Sequence, residues 1–374
     1  MARIFGSLQK NNYLSQKFQD SFIMMTTNYD VTIGIPVYNV ERYIEKSILS
    51  ALEQDFEGNI EILIVNDNSI DKSMDIVRDL QRRHHYGPNI HIINHSENKG
   101  VGYTRNTILD NAKGKYLFFL DSDDYITKDC IKKLYFQAEL YDSDVVYGSV
   151  ETVTPNGQVK DIGCSYLQQP NAVFTKPDEL ASFAFQNLHE NLRNYVWNTL
   201  FRVSFLKEHE LRFPESRFHE DVIFSTDMVP VVTKGVLLSD ITYYYVIRDH
   251  SLSNLQGRSS IKLDEIKEFI SIYTYVKNKN KSLKDKPYYE ARCSRSMTQM
   301  LYIISGVLKN RKVISPALES LAIKNAMTHP ATLNEILHFK KYKLANLAFY
   351  SLGILPSCMT VGIILLIAKY KHLL

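Results

Sequence analysis

The chain has 374 residues, of which 45% are hydrophobic and 23% are charged, so it can bury a sizeable core and is not disordered throughout. This length predicts two domains, or one large domain with an appendage. Its 44 basic and 41 acidic residues leave a net charge of only +3, which excludes a protein whose main task is to neutralise a nucleic-acid backbone. We therefore expect no nucleic-acid partner.

Residues 1–29 form an N-terminal extension with little periodicity. Polar residues at positions 9–12 interrupt it, so we predict no signal peptide. The four cysteines lie far apart without a Cys-x-x-Cys spacing, which argues against a zinc site or a disulfide framework and favours a reducing compartment.

Residues 30–149 alternate short apolar runs with stretches of helical periodicity, a pattern typical of an α/β fold with a mostly parallel sheet flanked by helices. The runs are β-branched or aromatic and too short for helices, so we interpret them as strands. The predicted strands cover residues 31–37, 60–65, 90–93, 116–120 and 145–147. Apolar residues at helical spacing predict amphipathic crossover helices over 41–54 and 74–80.

The pattern changes after residue 149. A strand is predicted over 235–247 and a short helix after Asp221, so we assign 30–149 and 150–255 to two halves of one domain. Residues 256–340 predict a small helical appendage. Within it, a lysine-rich stretch predicts a solvated loop, with lysines at 277, 279, 281, 284 and 286.

In such sheets the ligand lies outside the carboxyl ends of the strands, so the polar residues there are informative. The second strand ends in Asn-Asp-Asn-Ser at 66–69, and the fourth ends in Asp-Ser-Asp-Asp at 121–124. No Gly-x-Gly-x-x-Gly follows the first strand, and no Gly-x-x-x-x-Gly-Lys-Ser/Thr occurs, which disfavours Rossmann oxidoreductases and P-loop enzymes.

Asp121 and Asp123 stand two residues apart at a strand end, where alternate side chains share a face, so both carboxylates can turn toward one hard cation. A Mg²⁺ or Mn²⁺ ion held by one or two carboxylates completes its shell with water and a diphosphate, which implies a nucleotide ligand. The alternative is a solvated Asp-rich turn that caps the next helix.

Four motifs follow one another between residues 35 and 124. They are Ile-Pro-Val-Tyr-Asn at 35–39, Val-Asn-Asp-Asn-Ser-x-Asp-x-Ser at 65–73, Asn-Lys-Gly-x-Gly-x-x-Arg-Asn at 98–106, and Gly-Lys-Tyr-x-x-Phe-Leu-Asp-Ser-Asp-Asp at 114–124. Together they resemble the family 2 glycosyltransferases of the GT-A fold, of the inverting, bacterial polysaccharide type. The resemblance extends over residues 30–254.

The resemblance implies a binding site for a UDP-sugar donor. Pro36 and Tyr38 would lie under the nucleotide, and Asp67 would accept a hydrogen bond from the uracil imide. Arg105 would approach the base or the phosphates, where its planar fork can hold two oxygens. A surface ion pair is the alternative for Arg105. The donor set is completed by Asn39, Ser69, Ser122 and Arg248.

The resemblance assigns the metal to the Asp-x-Asp element. Asp121 would reach the ribose or the metal, and Asp123 would bind the Mn²⁺ or Mg²⁺ ion that bridges the diphosphate and offsets the charge of the leaving group. His250 lies in a segment that resembles the loop folding over the donor in relatives, and would be a third metal ligand or a diphosphate contact.

Glu220 and Asp221 match the Glu-Asp element of the same family. The resemblance implies that Asp221 is the general base that takes the proton of the acceptor hydroxyl, in a single step that inverts the anomeric centre. Capping of the following helix is the alternative. We assign Glu220 and the single tryptophan, Trp197, to the acceptor side, where an indole can stack on a sugar, although a core role suits Trp197 equally well.

Residues 344–368 contain no charged side chain, and lysines flank them on both sides. A helix of that length would be long enough to cross a hydrocarbon core of about 30 Å, yet Gly353, Pro356 and Gly362 interrupt it. The segment 341–374 therefore suits a broken hairpin or an in-plane helix at the cytoplasmic face of the cell membrane, in a peripheral or monotopic mode. A buried C-terminal helix is the alternative.

These features predict an inverting, metal-dependent transferase that moves a sugar from a UDP-sugar to a hydroxyl of a lipid-linked or polysaccharide glycan. A sugar nucleotidyltransferase would need a Gly-rich phosphate loop after the first strand, and a phospho-acceptor module would need neither the Glu-Asp element nor the apolar tail. A catalytically degenerate protein that binds nucleotides or glycans stays open as a further alternative.

Overall fold

The computed structural model describes residues 29–160, 168–186, 195–215, 219–247, 261–312, 314–315 and 317–370. Over these ranges a nine-stranded sheet with helices on both faces is followed by a helical C-terminal part. The α/β fold predicted from the sequence is confirmed.

The first half of the sheet is parallel. Its elements in chain order are β1 (Tyr29–Val37), α1 (Ile44–Leu52), β2 (Ile60–Asn66), α2 (Ser73–Arg83), β3 (Ile90–Asn94), α3 (Val101–Asn111) and β4 (Gly114–Phe119). In space the order is β3-β2-β1-β4, with parallel pairing throughout. This arrangement brings the carboxyl ends of β1, β2 and β4, which carry the predicted donor residues, to one edge.

The second half of the sheet mixes parallel and antiparallel neighbours. Its elements are β5 (Tyr125–Ile126), α4 (Cys130–Leu140), β6 (Val145–Val153), β7 (Ala172–Phe174), α5 (Glu179–Gln186), β8 (Thr199–Arg202), α6 (Val203–Glu208), α7 (Glu220–Met228) and β9 (Gly235–Val246). Antiparallel β8 lies between β4 and β6, whereas β9 runs parallel to β6 and pairs with β5 and β7. The sheet is therefore mixed, and its parallel character is greatest in residues 30–149.

Both faces of the sheet are buried, each under its own set of helices. In β2, Ile62 and Ile64 face the layer formed by α1, α2 and α4, while Leu63 and Val65 face the layer that contains α3 and α7. All four side chains are at most 2% exposed. This two-sided burial explains why the strand is a continuous apolar run instead of an alternating one.

The C-terminal part is mainly helical, as predicted. It contains β10 (Ile261–Lys262), α8 (Leu263–Lys279), α9 (Tyr289–Lys309), β11 (Ile314–Ser315), α10 (Ser320–Ala326) and α11 (Leu333–Leu337). The prediction of a solvated lysine loop is wrong for Lys277, which lies in α8 and is 2% exposed. Its ammonium group donates to the Ala326 carbonyl at 2.6 Å, so it ties α8 to α10.

The uncharged C-terminal segment forms two helices, α12 (Lys343–Ile354) and α13 (Ser357–Tyr370). Leu355, just before Pro356, is extended, which ends α12 where the sequence predicted an interruption. Leu352 and Ile364 are buried in a cluster with Met297 and Met300 of α9. In the described part of the chain, no helix has both the length and the apolarity needed to cross a membrane.

Candidate active site

The loops after β1 and β2 hold each other in place at the donor edge. The Asn39 N–H donates to the Ser69 hydroxyl at 3.2 Å, and the Asn39 side-chain oxygen accepts a backbone N–H of the second loop at 2.9 Å. Asn39 (φ 50°) and Asn68 (φ 62°) both have left-handed backbones, which asparagine tolerates better than most residues. Pro36 is partly buried at the end of β1, and Tyr38 is 48% exposed, which leaves its ring open to a ligand.

Asp67 fixes the next loop against the end of β2. Its Oδ1 lies 2.8 Å from His95 Nδ1 and accepts the Lys99 N–H at 3.0 Å, and its Oδ2 accepts the Gly100 N–H at 2.8 Å. Gly100 has a φ of 89°, which glycine adopts without strain. Asp67 is 3% exposed, so its first role is structural, and Oδ2 retains one lone pair for a base. Sequence reasoning missed His95, whose one available signal was its position directly after β3.

The predicted acidic cluster is assembled at the end of β4. One carboxylate oxygen from each of Asp121, Asp123 and Asp124 lies within 4.8 Å of the others. Ser122, which lies between Asp121 and Asp123 in the sequence, is buried. Asp124 accepts hydrogen bonds from the Tyr243 hydroxyl at 2.9 Å and from a backbone N–H at the end of β9 at 2.8 Å. Burial raises the pKa of Asp124 well above its ordinary value, and the charge of Asp121 adds to the shift.

The cluster fits a hard divalent cation held by Asp121 and Asp123. Asp121 and Asp123 are both partly exposed, and oxygen ligands are those that Mg²⁺ and Mn²⁺ prefer. Asp124 is 3% exposed and already occupied by Tyr243, so it holds the turn instead of facing the ion. Tyr243 carries no motif and was not predicted; it reaches the cluster because β9 returns to pair with β5.

Arg105 forms a buried ion-pair link between two carboxylates, and its predicted contact with the base or phosphates stays a prediction. It is 4% exposed; one η-nitrogen donates to Asp121 at 2.8 Å and the other donates to Glu220. Burial alone would lower the pKa of Arg105, but the charges of Asp121 and Glu220 raise it above its ordinary value. Gly102, nearly one turn earlier in α3, permits this approach, since a Cβ there would meet the Pro214 carbonyl oxygen. Arg105 therefore joins the end of β4 to the start of α7.

Glu220 and Asp221 form the first turn of α7 and face different surroundings. Glu220 is 7% exposed and paired with Arg105, so it is not presented to an acceptor as expected. Asp221 is partly exposed, and its Oδ1 accepts the N–H of Val222 at 2.8 Å. Burial and the neighbouring Glu220 charge raise the pKa of Asp221 to about 7. A carboxylate with that pKa can accept a proton near neutral pH.

Trp197 belongs to an aromatic stack. Its ring centroid lies 4.0 Å from that of Tyr195 and 4.7 Å from that of Tyr243, with interplanar angles of 12° and 26°. A third ring, that of Tyr245, lies 5.7 Å away at 13°. These contacts support the packing alternative, in which Trp197 supports Tyr243 and, through it, Asp124, while the acceptor role of Trp197 stays a prediction.

Two predicted site residues, Arg248 and His250, lie outside the described residues. The structure therefore brings together the predicted residues of β1, β2, β4 and α7, and leaves those two roles as predictions. Sequence reasoning missed His95, the partner of Asp67, and Tyr243, the partner of Asp124. Both come from elements other than the motifs that carry the two aspartates.

Comparisons with known proteins agree with this geometry. Residues 32–174 match the family described as Glycosyl transferase family 2. Glycosyltransferase GlyA of Streptococcus pneumoniae is 30% identical over 238 residues, which are 62% of this chain and 32% of that protein. The poly(ribitol-phosphate) beta-glucosyltransferase of Bacillus spizizenii is 28% identical over 221 residues, 58% of this chain and 32% of that protein. The matched part of this chain thus spans about a third of the length of each of these relatives.

Among solved structures, residues 1–349 of Staphylococcus aureus TarS in complex with UDP-GlcNAc are similar in fold. The TM-score is 0.59 at 20% sequence identity, over 87% of this chain and 90% of that one. The likeness therefore reaches beyond the matched family segment into the C-terminal helices. The motifs at the strand ends, the fold and the family match agree: residues 32–174 match a family 2 glycosyltransferase domain, in a chain whose fold is similar to that of TarS.

Proposed function

We propose that the protein is an inverting, metal-dependent glycosyltransferase that uses a UDP-sugar. The observation that carries the proposal is the link through Arg105, which holds the cation-binding carboxylate Asp121 and the helix that bears Asp221 at one edge of the sheet. A donor site and a base must lie on opposite sides of one anomeric carbon for a single displacement, and this link fixes them relative to each other.

In the proposed reaction, the oxygen of an acceptor hydroxyl forms a bond to the anomeric carbon. The bond between that carbon and the diphosphate oxygen breaks, and UDP leaves with its electron pair. The hydroxyl proton passes to the Asp221 carboxylate. A divalent cation held by Asp121 and Asp123 would offset the charge of the departing diphosphate. Arg248 and His250 are retained as proposed contacts to the diphosphate or the cation.

The choice of uridine rests on Asp67 and Tyr38. The remaining lone pair of the Asp67 carboxylate can accept the imide N–H of uracil, a group that cytosine lacks. The exposed Tyr38 ring can stack on the base. The TarS fragment with a similar fold is solved with UDP-GlcNAc. This chain would therefore take UDP-glucose, UDP-galactose or an N-acetylated counterpart.

The test is a nucleotide-release assay on the full chain with UDP-, CDP- and GDP-sugars, with and without Mn²⁺. We expect release of UDP alone, lost on addition of EDTA and restored by Mn²⁺. Asp221→Asn should slow it by about 100-fold or more. Equal release from a CDP-sugar, or release that EDTA leaves unchanged, would contradict the proposal. Binding of UDP without any turnover would favour the degenerate binding protein.

For the acceptor, we propose a hydroxyl of a lipid-linked or polysaccharide glycan. The support comes from relatives whose names specify poly(ribitol-phosphate) polymers as substrates. Such acceptors are too large to be enclosed, so the acceptor side must be open to solvent, which agrees with the partial exposure of Asp221.

We propose that the protein acts at the cytoplasmic face of the membrane, bound through α12 and α13. Their outward residues include Leu344, Ile354 and Leu366, which are 82%, 64% and 69% exposed. From residue 336 to the end, the chain carries five lysines and no acidic residue, which suits an anionic lipid surface. Apolar side chains on the outside of helices that are otherwise packed on α9 indicate an in-plane contact.

Flotation with vesicles of phosphatidylglycerol or of phosphatidylcholine tests this contact. We expect the full chain to float with the anionic vesicles only, and the triple variant Ile354→Ser, Met359→Ser, Leu366→Ser to stay behind. The matched control is the double variant Phe136→Ser, Leu140→Ser, which replaces two apolar residues of α4 that are 61% and 57% exposed. It should float with the anionic vesicles as the unaltered chain does. Flotation of the triple variant equal to that of the unaltered chain would overturn the proposal.

A further inference from the structure

Helix α8 of the C-terminal part packs directly on α7, the helix that begins with Glu220 and Asp221. Ile272 and Val276 of α8 are buried against Val222 of α7. At the other end of α7, Asp227 accepts the Tyr275 hydroxyl at 2.7 Å and pairs with an α8 lysine at 2.6 Å. The position of α8 beside the proposed base is therefore fixed at both ends of the contact.

This packing sets an aromatic wall next to Asp221. The ring of His219, the residue before α7, lies 4.8 Å from that of Phe269 and 5.9 Å from that of Tyr273. Burial raises the pKa of Tyr273 to about 12, and the charge of Asp221 contributes. We call His219, Phe269 and Tyr273 the α8 wall.

Two polar groups of the α8 wall stand without a hydrogen bond to another described residue. The Tyr273 hydroxyl and the ring nitrogens of His219 make no hydrogen bond in the described part of the chain, although both side chains are only partly exposed. Polar groups in such places are usually satisfied by protein, water or ligand. A carbohydrate meets both features of the wall, since its C–H face packs on aromatic rings and its hydroxyls donate and accept hydrogen bonds.

We propose that the α8 wall is the acceptor subsite and binds the sugar or polyol unit whose hydroxyl is presented to Asp221. The proposal rests on the proposed function and names its acceptor side. It also assigns a binding role to a helix that lies outside the matched family segment 32–174, and it is an alternative to the acceptor role first given to Trp197 and Glu220.

The test is saturation-transfer NMR on the full chain with saturating UDP and Mn²⁺. The probes are methyl β-glucoside, methyl β-N-acetylglucosaminide and ribitol 5-phosphate at millimolar concentration. Variants Tyr273→Phe and Tyr273→Ala are compared with Tyr302→Phe, which removes a phenol hydroxyl from α9 at a position that is 49% exposed. Calorimetric UDP affinity, measured for every variant, reports whether each is folded.

We expect at least one probe to bind the unaltered chain and Tyr302→Phe equally. Its affinity should fall about tenfold in Tyr273→Ala and less in Tyr273→Phe, with UDP affinity unchanged in both. Equal probe binding by Tyr273→Ala, or no probe binding by a chain that binds UDP, would overturn the subsite. Failure of the unaltered chain to bind UDP would instead overturn the proposed function.

Discussion

Arg105 is the residue on which two parts of the candidate site depend. Its guanidinium contacts Asp121 after β4 and Glu220 in α7, and all three side chains are shielded from water to a large extent. A buried charge that loses its partner costs several kcal/mol, so these side chains stabilise the site only as a set. Sequence reasoning found all three residues and left Arg105 between a nucleotide contact and an ion pair. A motif shows which side chains are present and not which partner each one takes.

Replacing Arg105 should therefore be costly for folding. Arg105→Ala leaves the Asp121 and Glu220 carboxylates without their shared partner, and we expect the free energy of unfolding to fall by about 3–5 kcal/mol in urea denaturation. Arg83→Ala removes an exposed arginine that pairs with Glu45 and Asp79, and should cost at most about 1 kcal/mol. Similar losses in the two variants would contradict the bridging role.

The raised pKa of Asp221 predicts the pH dependence of turnover. Below about pH 7 its carboxyl group is protonated and cannot take the acceptor proton, so the rate should rise with pH through about 7 and level off above it. Nucleotide release measured from pH 5.5 to 9 at saturating Mn²⁺ would show this rise and plateau in the rate. A rate that falls over the same interval would mean that the group acts as an acid.

At the scale of elements, the approach of α3 to α7 depends on one small residue. Gly102→Ala would place a methyl group against the Pro214 carbonyl oxygen, so α3 has to shift, and we expect a loss of about 1–3 kcal/mol in the free energy of unfolding. Gly306→Ala in α9 is the matched control because no atom lies within 4 Å of its added Cβ. That substitution should stabilise the protein by about 0.5–1 kcal/mol. The two variants should therefore differ in sign.

The link between α8 and α10 predicts a second pH effect. Burial lowers the pKa of Lys277 from 10.5 to about 8, so between these values the unfolded chain binds more protons than the folded one. The free energy of unfolding should rise with pH in that window, by up to roughly 3 kcal/mol. Lys277→Met should lack this rise, whereas Lys267→Met, on the exposed side of the same helix, should keep it. Parallel pH profiles for the two variants would contradict the prediction.

At the scale of the whole molecule, the parallel half of the sheet and its polar edge could be predicted from the sequence. Each of its strands and motifs is a short contiguous segment whose residue pattern is visible without knowledge of distant contacts. In the mixed half the sequence predicted the strands at 145–147 and 235–247 but not how the strands pair, since β8 and β9 pair with strands far away in the chain. For α8, the sequence predicted a helical appendage but not that one face of α8 packs on α7. The same limit hid His95, Tyr243 and Tyr273 from sequence reasoning.

The measurement that tests the central claim most directly is calorimetric titration of UDP with Mn²⁺ into the unaltered chain, Asp123→Ala and Asp221→Asn. If Asp123 binds the cation and Asp221 is the base, Asp123→Ala should lose metal-dependent binding, while Asp221→Asn should bind UDP as the unaltered chain does and fail only in turnover. Equal loss of UDP affinity in both variants would contradict the division of the site into a donor half and a catalytic base.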